Sequence, residues 1–196
     1  MGILLPLLNR EEQLVKALKK SDARAQRFLY EKYSGKMMAV CFRYVNDRMI
    51  AEDLLVEGFM KVFDKIDQYK SEGSLEGWIR RIMINESLGY LRKHKTKELQ
   101  ENLDAAVQIP DFQPTDSFFA VEDLLTMVGK LSAGYQTVFN LYAIEGYTHA
   151  EIAEMLGITE STSKSQLHRA RAILQQMVTD WEDELKKKEN YEKASG

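Results

Sequence analysis

Apolar residues recur at three- and four-residue intervals along almost the whole chain, and no stretch alternates with the two-residue period of a strand. This periodicity allows only an all-helical fold. A first helix is expected around Leu14, Val15 and Leu18, stopping near Ser21. A second, capped by Ser21, runs past Phe28, Leu29 and Tyr33 to Val40, Cys41 and Tyr44, with a break near Gly35. Asn46 and Asp47 read as a turn, Ile50 to Ile66 as a third helix, and Asp67 to Gly73 as a polar loop. Ser74 is placed to cap a fourth helix from Leu75 to about Arg92.

The pattern is interrupted once. Between Glu98 and Ser117 the chain carries Pro110, Pro114 and five acids (Glu98, Glu101, Asp104, Asp111 and Asp116) with little periodicity, the composition of a linker. Helices resume at about Ala120–Leu131, Ala133–Glu145, Thr148–Leu156 and Glu160–Trp181, and the charged residues from Lys186 on are expected to fray. The expected architecture is therefore two small helical domains, 10–97 and 118–181, joined by a flexible acidic linker at 98–117.

Composition narrows the function classes. Lys and Arg number 27 against 30 Asp and Glu, a net charge of −3, so nucleic-acid binding has to come from local charge separation. A single cysteine, Cys41, excludes a disulfide scaffold and fits a reducing, cytoplasmic compartment. The apolar run Ile3–Leu8 is interrupted by Pro6 and has no basic residue before it, unlike a signal peptide or a membrane-inserted span. His94, His149 and His168 lack metal-ligand spacing, no Gly-rich phosphate loop is present, and Cys41 has no evident base partner. The residues call for no metal or cofactor and argue against an enzyme.

Thr148-His149-Ala150-Glu151 forms a capping box, in which Thr148 accepts from the third helical amide and Glu151 reaches back. The short helix after it turns Ile152, Ala153 and Leu156 inward, and Gly157 permits the left-handed backbone that ends it. Ile158 anchors the turn and Thr159 caps the next helix, whose buried side is Leu167, Ala170 and Leu174. The spacing of Ala153, Gly157 and Ile158 is that of a DNA-binding helix-turn-helix, although a hairpin that only packs would share it. The second helix tips the balance. Ser161 to Ser165, Gln166, His168, Arg169 and Arg171 make its start polar and short-chained, where a structural helix would show Glu/Lys pairs. Hydroxyls and Gln166 can reach base edges, while Lys164, Arg169 and Arg171 can sit on phosphates. Ser163 occupies a slot that usually holds an aliphatic residue.

In the first domain, residues 80–97 hold Arg80, Arg81, Arg92, Lys93, Lys95 and Lys97 against Glu86 alone, a footprint for phosphates. Trp78, Asn85 and Tyr90 are interleaved with them. Trp78 falls with Leu75, Ile79 and Ile82 on a core stripe, whereas Asn85 lies off it beside the arginines, where it can bond an exposed base edge. The Ile50–Ile66 helix has two unlike faces: Leu55, Phe59, Val62, Phe63 and Ile66 form a core side, and Asp53, Val56, Glu57 and Met60 form another stripe roughly opposite. Two acids mixed with Val and Met suit a docking surface for a basic protein partner; a solvated face with scattered apolar residues has the same pattern.

Four segments in order, Phe28-Leu-Tyr-Glu-Lys-Tyr33, Ala51-Glu-Asp-Leu-Leu-Val-Glu-Gly-Phe59, Gly77-Trp-Ile-Arg-Arg-Ile82 with Asn85, and Ser161-Thr-Ser-Lys-Ser-Gln-Leu-His-Arg-Ala-Arg171, resemble the extracytoplasmic-function group of bacterial sigma factors, the promoter-recognition subunits of RNA polymerase. The resemblance covers about residues 10–180. It implies a first domain that docks on the coiled coil of the polymerase's largest subunit through Asp53, Val56, Glu57 and Met60. Asn85 would capture an unpaired −10 base, with Arg80, Arg81, Arg92 and Lys93 on the nearby backbone. Thr162, Lys164, Ser165, Gln166, Arg169 and Arg171 would face the −35 duplex. Core RNA polymerase, promoter DNA and an anti-sigma factor are the partners it implies.

Val56 stands where the family usually has Gln, Gln166 where a basic residue is common, and Ser163 where an aliphatic one is. The rival reading is a helix-turn-helix regulator without affinity for core polymerase, which would leave the Asp53–Met60 stripe unexplained.

Overall fold

The structure, a computed structural model, describes the backbone of residues 4–94 and 121–195 and the side chains of residues 11–94 and 123–187. The chain folds as two units, Met1–His94 and Lys95–Gly196. The acidic segment 98–117 lies outside the described residues, and among the described residues every regular element is helical.

The first unit comprises α1 (Leu4–Leu18), α2 (Ala23–Val45), α3 (Arg48–Asp64), a 3₁₀ turn at Ile66–Gln68 and α4 (Leu75–His94). Ser21 does not cap α2. It takes a left-handed φ of 55° in the turn, and Asp22, one residue on, accepts from the Ala25 amide at 2.8 Å. Nor does α2 break at Gly35; it is continuous over 23 residues because Leu29, Tyr33, Met37, Val40, Cys41 and Tyr44 keep one side buried across the glycine. Asn46 ends α2 in the left-handed region (φ 51°) and Asp47 caps α3 by accepting from Ile50 at 3.0 Å, so two residues join two helices. Ser74 caps α4 as expected, accepting from Gly77 at 3.1 Å.

The helices α2, α3 and α4 pack on one another around Leu29, Met37, Val62, Leu75, Ile79 and Met83. The buried stripe of α4 runs Leu75, Ile79, Met83, Ile84, Leu88, Leu91; Ile82 and Trp78 are only half-buried beside it, with Trp78 against Tyr69 at 5.5 Å between centroids. Gly58 allows α3 to approach α4, since a Cβ there would lie 2.3 Å from the Met83 sulfur. The pairs Lys36–Glu76 (2.9 Å) and Lys61–Glu86 link α4 to its neighbours. The hydrogen bond from Lys36 holds the Glu76 carboxyl below its usual range. Cys41 is fully buried, and desolvation pushes its thiol up to about 11, so it is no thiolate at neutral pH.

The second unit comprises α5 (Val121–Gly129), α6 (Ala133–Phe139), a π-helical turn at Asn140–Ile144, α7 (His149–Leu156) and α8 (Glu160–Ser195). The sequence predicts one continuous helix where α6 instead passes into the π turn. The Thr148 capping box is complete, with the Thr148 Oγ1 accepting from the Glu151 amide at 3.3 Å and Glu151 accepting from the Thr148 amide at 2.8 Å. Gly157 ends α7 at φ 67°, and Thr159 accepts from Thr162 at 3.0 Å to start α8. Val128, Leu131, Tyr135 and Ala170 form the core with Phe139, Ile173 and Leu174 against it. Helix α8 runs past Trp181, its expected end, to Ser195.

Candidate functional site

At about 100° per residue the buried positions of α3 (Ala51, Leu54, Leu55, Gly58, Phe59, Val62) occupy one arc. Asp53, Val56, Glu57 and Met60 occupy the opposite one, and all four are exposed, Val56 at 51% and Met60 at 61%. Met49, 77% exposed, extends the same strip by a turn; its position four residues before Asp53 is the only sequence signal for it. The strip is bordered on one side by an open apolar groove between α2 and α3, about 820 Å³, lined by Tyr30, Met38, Phe42, Leu55 and Val56 among others. On the other side a smaller hollow of about 380 Å³ brings Asp53 and Glu57 next to Tyr90, Lys93 and His94 of α4. Exposed acids interleaved with exposed Val and Met suit a basic, amphipathic partner, because the apolar area supplies affinity and the acids supply sign selectivity.

On α4 the expected nucleic-acid residues separate into three groups. Arg81, Asn85 and Arg92 are exposed and fall within about 40° of one another around the helix axis, so they form one strip. Lys93 is exposed but turned about 100° away, into the hollow with the α3 acids. Arg80 is half-buried and reaches Glu76 at 3.4 Å. Lys95 and Lys97 lie outside the described residues.

On α8, Ser163, Leu167, Ala170 and Leu174 face inward. Lys164 and Arg171 are exposed on one flank of the outward arc; Thr162, Ser165 and Arg169, half-buried, lie on the other. Thr162 Oγ1 is 2.8 Å from Thr159 Oγ1, Ser165 Oγ donates to the Thr162 carbonyl at 2.9 Å, and Arg169 reaches the Tyr135 hydroxyl at 3.4 Å. Lys164 sits 3.6 Å from Glu160, an exposed pair that water and salt weaken. Gln166 departs from the expected outward placement: at 4% exposure its side chain is buried. Three residues from Ser163 and four from Ala170, it falls on the packed side of the helix. Ser163 is buried without exposure, and its hydroxyl lies 2.9 Å from Nδ1 of His149, which is why a polar residue is tolerated where an aliphatic one is usual.

Among the described residues no three or more His, Cys, Asp or Glu side chains are grouped to hold a metal ion, and no helix is long and apolar enough to cross a membrane.

The first unit matches the family model Sigma-70 region 2 over residues 29–97, and the second matches Sigma-70, region 4 over residues 122–174. The ECF RNA polymerase sigma-E factor of Haemophilus influenzae is 24% identical over 180 residues, covering 86% of this chain and 95% of that protein. The ECF RNA polymerase sigma factor SigW of Bacillus subtilis is 28% identical over 178 residues, 85% and 95% of the two chains. SigM of the same organism is 29% identical over 154 residues, 74% and 90%. Among solved structures, the sigma factor RpoE from Bartonella quintana, in complex with the anti-sigma factor NepR, superposes with a TM-score of 0.51 at 22% identity, covering 78% of this chain and 96% of that one. CnrH, in complex with the cytosolic domain of CnrY, gives 0.50 at 18% identity, with 87% and 97% covered, a likeness of fold. A helical unit matching region 2, followed by a helix-turn-helix unit matching region 4, in relatives that run nearly end to end with it, identifies this chain as a member of the sigma-70 family, in its extracytoplasmic-function group of RNA polymerase sigma factors.

Proposed function

We propose that this chain joins core RNA polymerase through the exposed α3 strip, reads the −35 element with α8, and captures a −10 base beside Asn85 as the duplex melts. The observation that carries the reading is the two-sidedness of α3. A helix that buries Leu55, Phe59 and Val62 and yet presents Val56 and Met60 to solvent between two acids has an unmatched surface on its second side.

The chemistry is division of labour among binding surfaces, with no turnover at the chain's own residues and no nucleotide hydrolysis. At net charge −3 the free chain holds duplex DNA weakly at physiological salt. Once polymerase fixes the two units, Arg81 and Arg92 near one element and Lys164 and Arg171 near the other act together, and two weak contacts multiply into a strong one. Unstacking a −10 base costs a few kcal/mol, which its binding beside Asn85 offsets. Of the six residues expected at the −35 duplex, Thr162, Lys164, Ser165, Arg169 and Arg171 carry the reading; Gln166 packs. Lys93 serves the α3 side of the hollow and Arg80 steadies Glu76. The domains of this reading are 10–97 and 118–181, with 98–117 as the tether. Promoter DNA and core polymerase are the working partners, and an anti-sigma protein is the regulatory one. The working compartment is the cytoplasm.

Asp53→Arg combined with Glu57→Arg should abolish co-purification with core polymerase while circular dichroism stays that of the native chain. Undiminished co-purification would refute the docking face. A regulator without core affinity would bind promoter DNA equally with and without core enzyme.

A further inference from the structure

Three segments of the second unit meet on one aromatic ring. His149, the first residue of α7, stacks its imidazole on Tyr142 of the π turn, with centroids 4.5 Å apart and planes 23° from parallel. The Nδ1 of His149 lies 2.9 Å from the hydroxyl of buried Ser163 on α8. The guanidinium of Arg171, two turns further along α8, packs over the same Tyr142 ring at 5.7 Å from its centroid. Burial, together with the nearby Lys164 and Arg171 charges and against the opposing pull of Glu160, lowers the His149 pKa, so the imidazole stacks as a neutral ring at pH 7.

An exposed arginine has several free rotors, and it loses them when a phosphate immobilises it. A ring that already holds the guanidinium removes part of that loss before DNA arrives, and a ring held in one plane keeps its face toward the cation. Here the plane is fixed from α7 by the stack, and the stack from α8 by the Ser163 bond. We propose that Tyr142, steadied by His149 and Ser163, is a positioning residue that presents Arg171 to a phosphate of the −35 duplex and so sets −35 affinity without touching DNA. The inference rests on the reading that Arg171 faces that duplex.

The test is equilibrium binding of a promoter fragment by holoenzyme assembled with the full chain, over a salt series, for Tyr142→Leu, Tyr142→Phe, Arg171→Ala and the Tyr142→Leu/Arg171→Ala double variant. Arg171→Ala should weaken binding and lower the salt slope by about 1. Tyr142→Leu should weaken binding several-fold, by roughly half or more of the Arg171→Ala effect, while the slope stays near native because Arg171 still reaches its phosphate. Tyr142→Phe, which keeps the ring, should match the native chain, and the double variant should be no weaker than Arg171→Ala alone. Multiplying fold-changes in the double variant, or native affinity in Tyr142→Leu, would overturn the proposal. If Arg171→Ala leaves affinity and slope untouched, the placement of Arg171 at the duplex is wrong, and the positioning role falls with it. Should Tyr142→Leu fail to fold, His149→Ala, which removes the stack and the Ser163 bond but leaves the ring, must weaken promoter binding; native affinity there overturns the role equally.

Discussion

Gly58 and Gly35 both lie inside helices of the first unit, and alanine at the two positions should have opposite effects on stability. Replacing a mid-helix glycine by alanine gains about 0.8–1.0 kcal/mol from reduced backbone entropy in the unfolded chain and better helix propensity. At Gly35 nothing lies within 4 Å of the added methyl, so Gly35→Ala should show that gain undiminished. At Gly58 the methyl would lie 2.3 Å from the Met83 Sδ and 2.9 Å from its Cε, where carbon and sulfur contacts require about 3.5–4.0 Å. The clash is with the flexible end of Met83, but that side chain is fully buried, so moving it disturbs packed neighbours. Overpacking of this size costs about 1–3 kcal/mol, which exceeds the propensity gain. Gly58→Ala should therefore be destabilised by roughly 1 kcal/mol, and the two variants should differ by about 1–3 kcal/mol, the steric cost alone. Amide hydrogen exchange of the most protected residues of α3 and α4 in the full chain reads this unit's stability separately from that of the second. The corresponding shift in the unit's thermal midpoint is about 4–8 °C per kcal/mol. Gly58→Ala as stable as Gly35→Ala would show that the end of Met83 moves aside without cost, and the steric reasoning for this position would fall.

Asn85→Ala should reduce permanganate reactivity of the melted −10 region more than it reduces closed-complex binding; equal effects on both would remove Asn85 from base capture. Lys164→Ala should weaken holoenzyme binding alike across promoters and lower the salt slope by about 1, and a loss confined to particular −35 sequences would make it a base reader instead. Cys41, with no exposure and a thiol raised to about 11, should resist a maleimide at pH 7 in the native chain and react fully once unfolded; rapid native labelling would contradict the packing of α2.

The parts of this fold that are legible in the sequence are those decided within a few residues. The Thr148–Glu151 box, the Gly157 turn, the Asn46–Asp47 junction and the Ser74 cap each depend on side chains and backbone three or four positions apart, and each forms where expected. So do the two faces of α3, because a 3.6-residue period is itself local information. The departures come from tertiary contact. Gly35 would break an isolated helix, but packing on both sides of it keeps α2 whole. Ser21 and Asp22 are comparable caps, and which is used depends on the route of the turn from α1. Gln166 carries a base-reading side chain, yet its flank of α8 is covered. Ser163 is out of pattern in the sequence because its partner, His149, is fourteen residues away. The π turn at Asn140–Ile144, which brings Tyr142 under His149, has no sequence signature of the kind that helix caps provide.

The central claim is that two helical modules become a promoter reader when a bacterial core polymerase holds them. Run-off transcription with purified core enzyme over a promoter library tests it most directly. The account requires discrete transcripts that appear only when this chain is added and that vanish with Asp53→Arg/Glu57→Arg. Core enzyme that starts nowhere in its presence, or transcripts that persist with the docking face reversed, would contradict it.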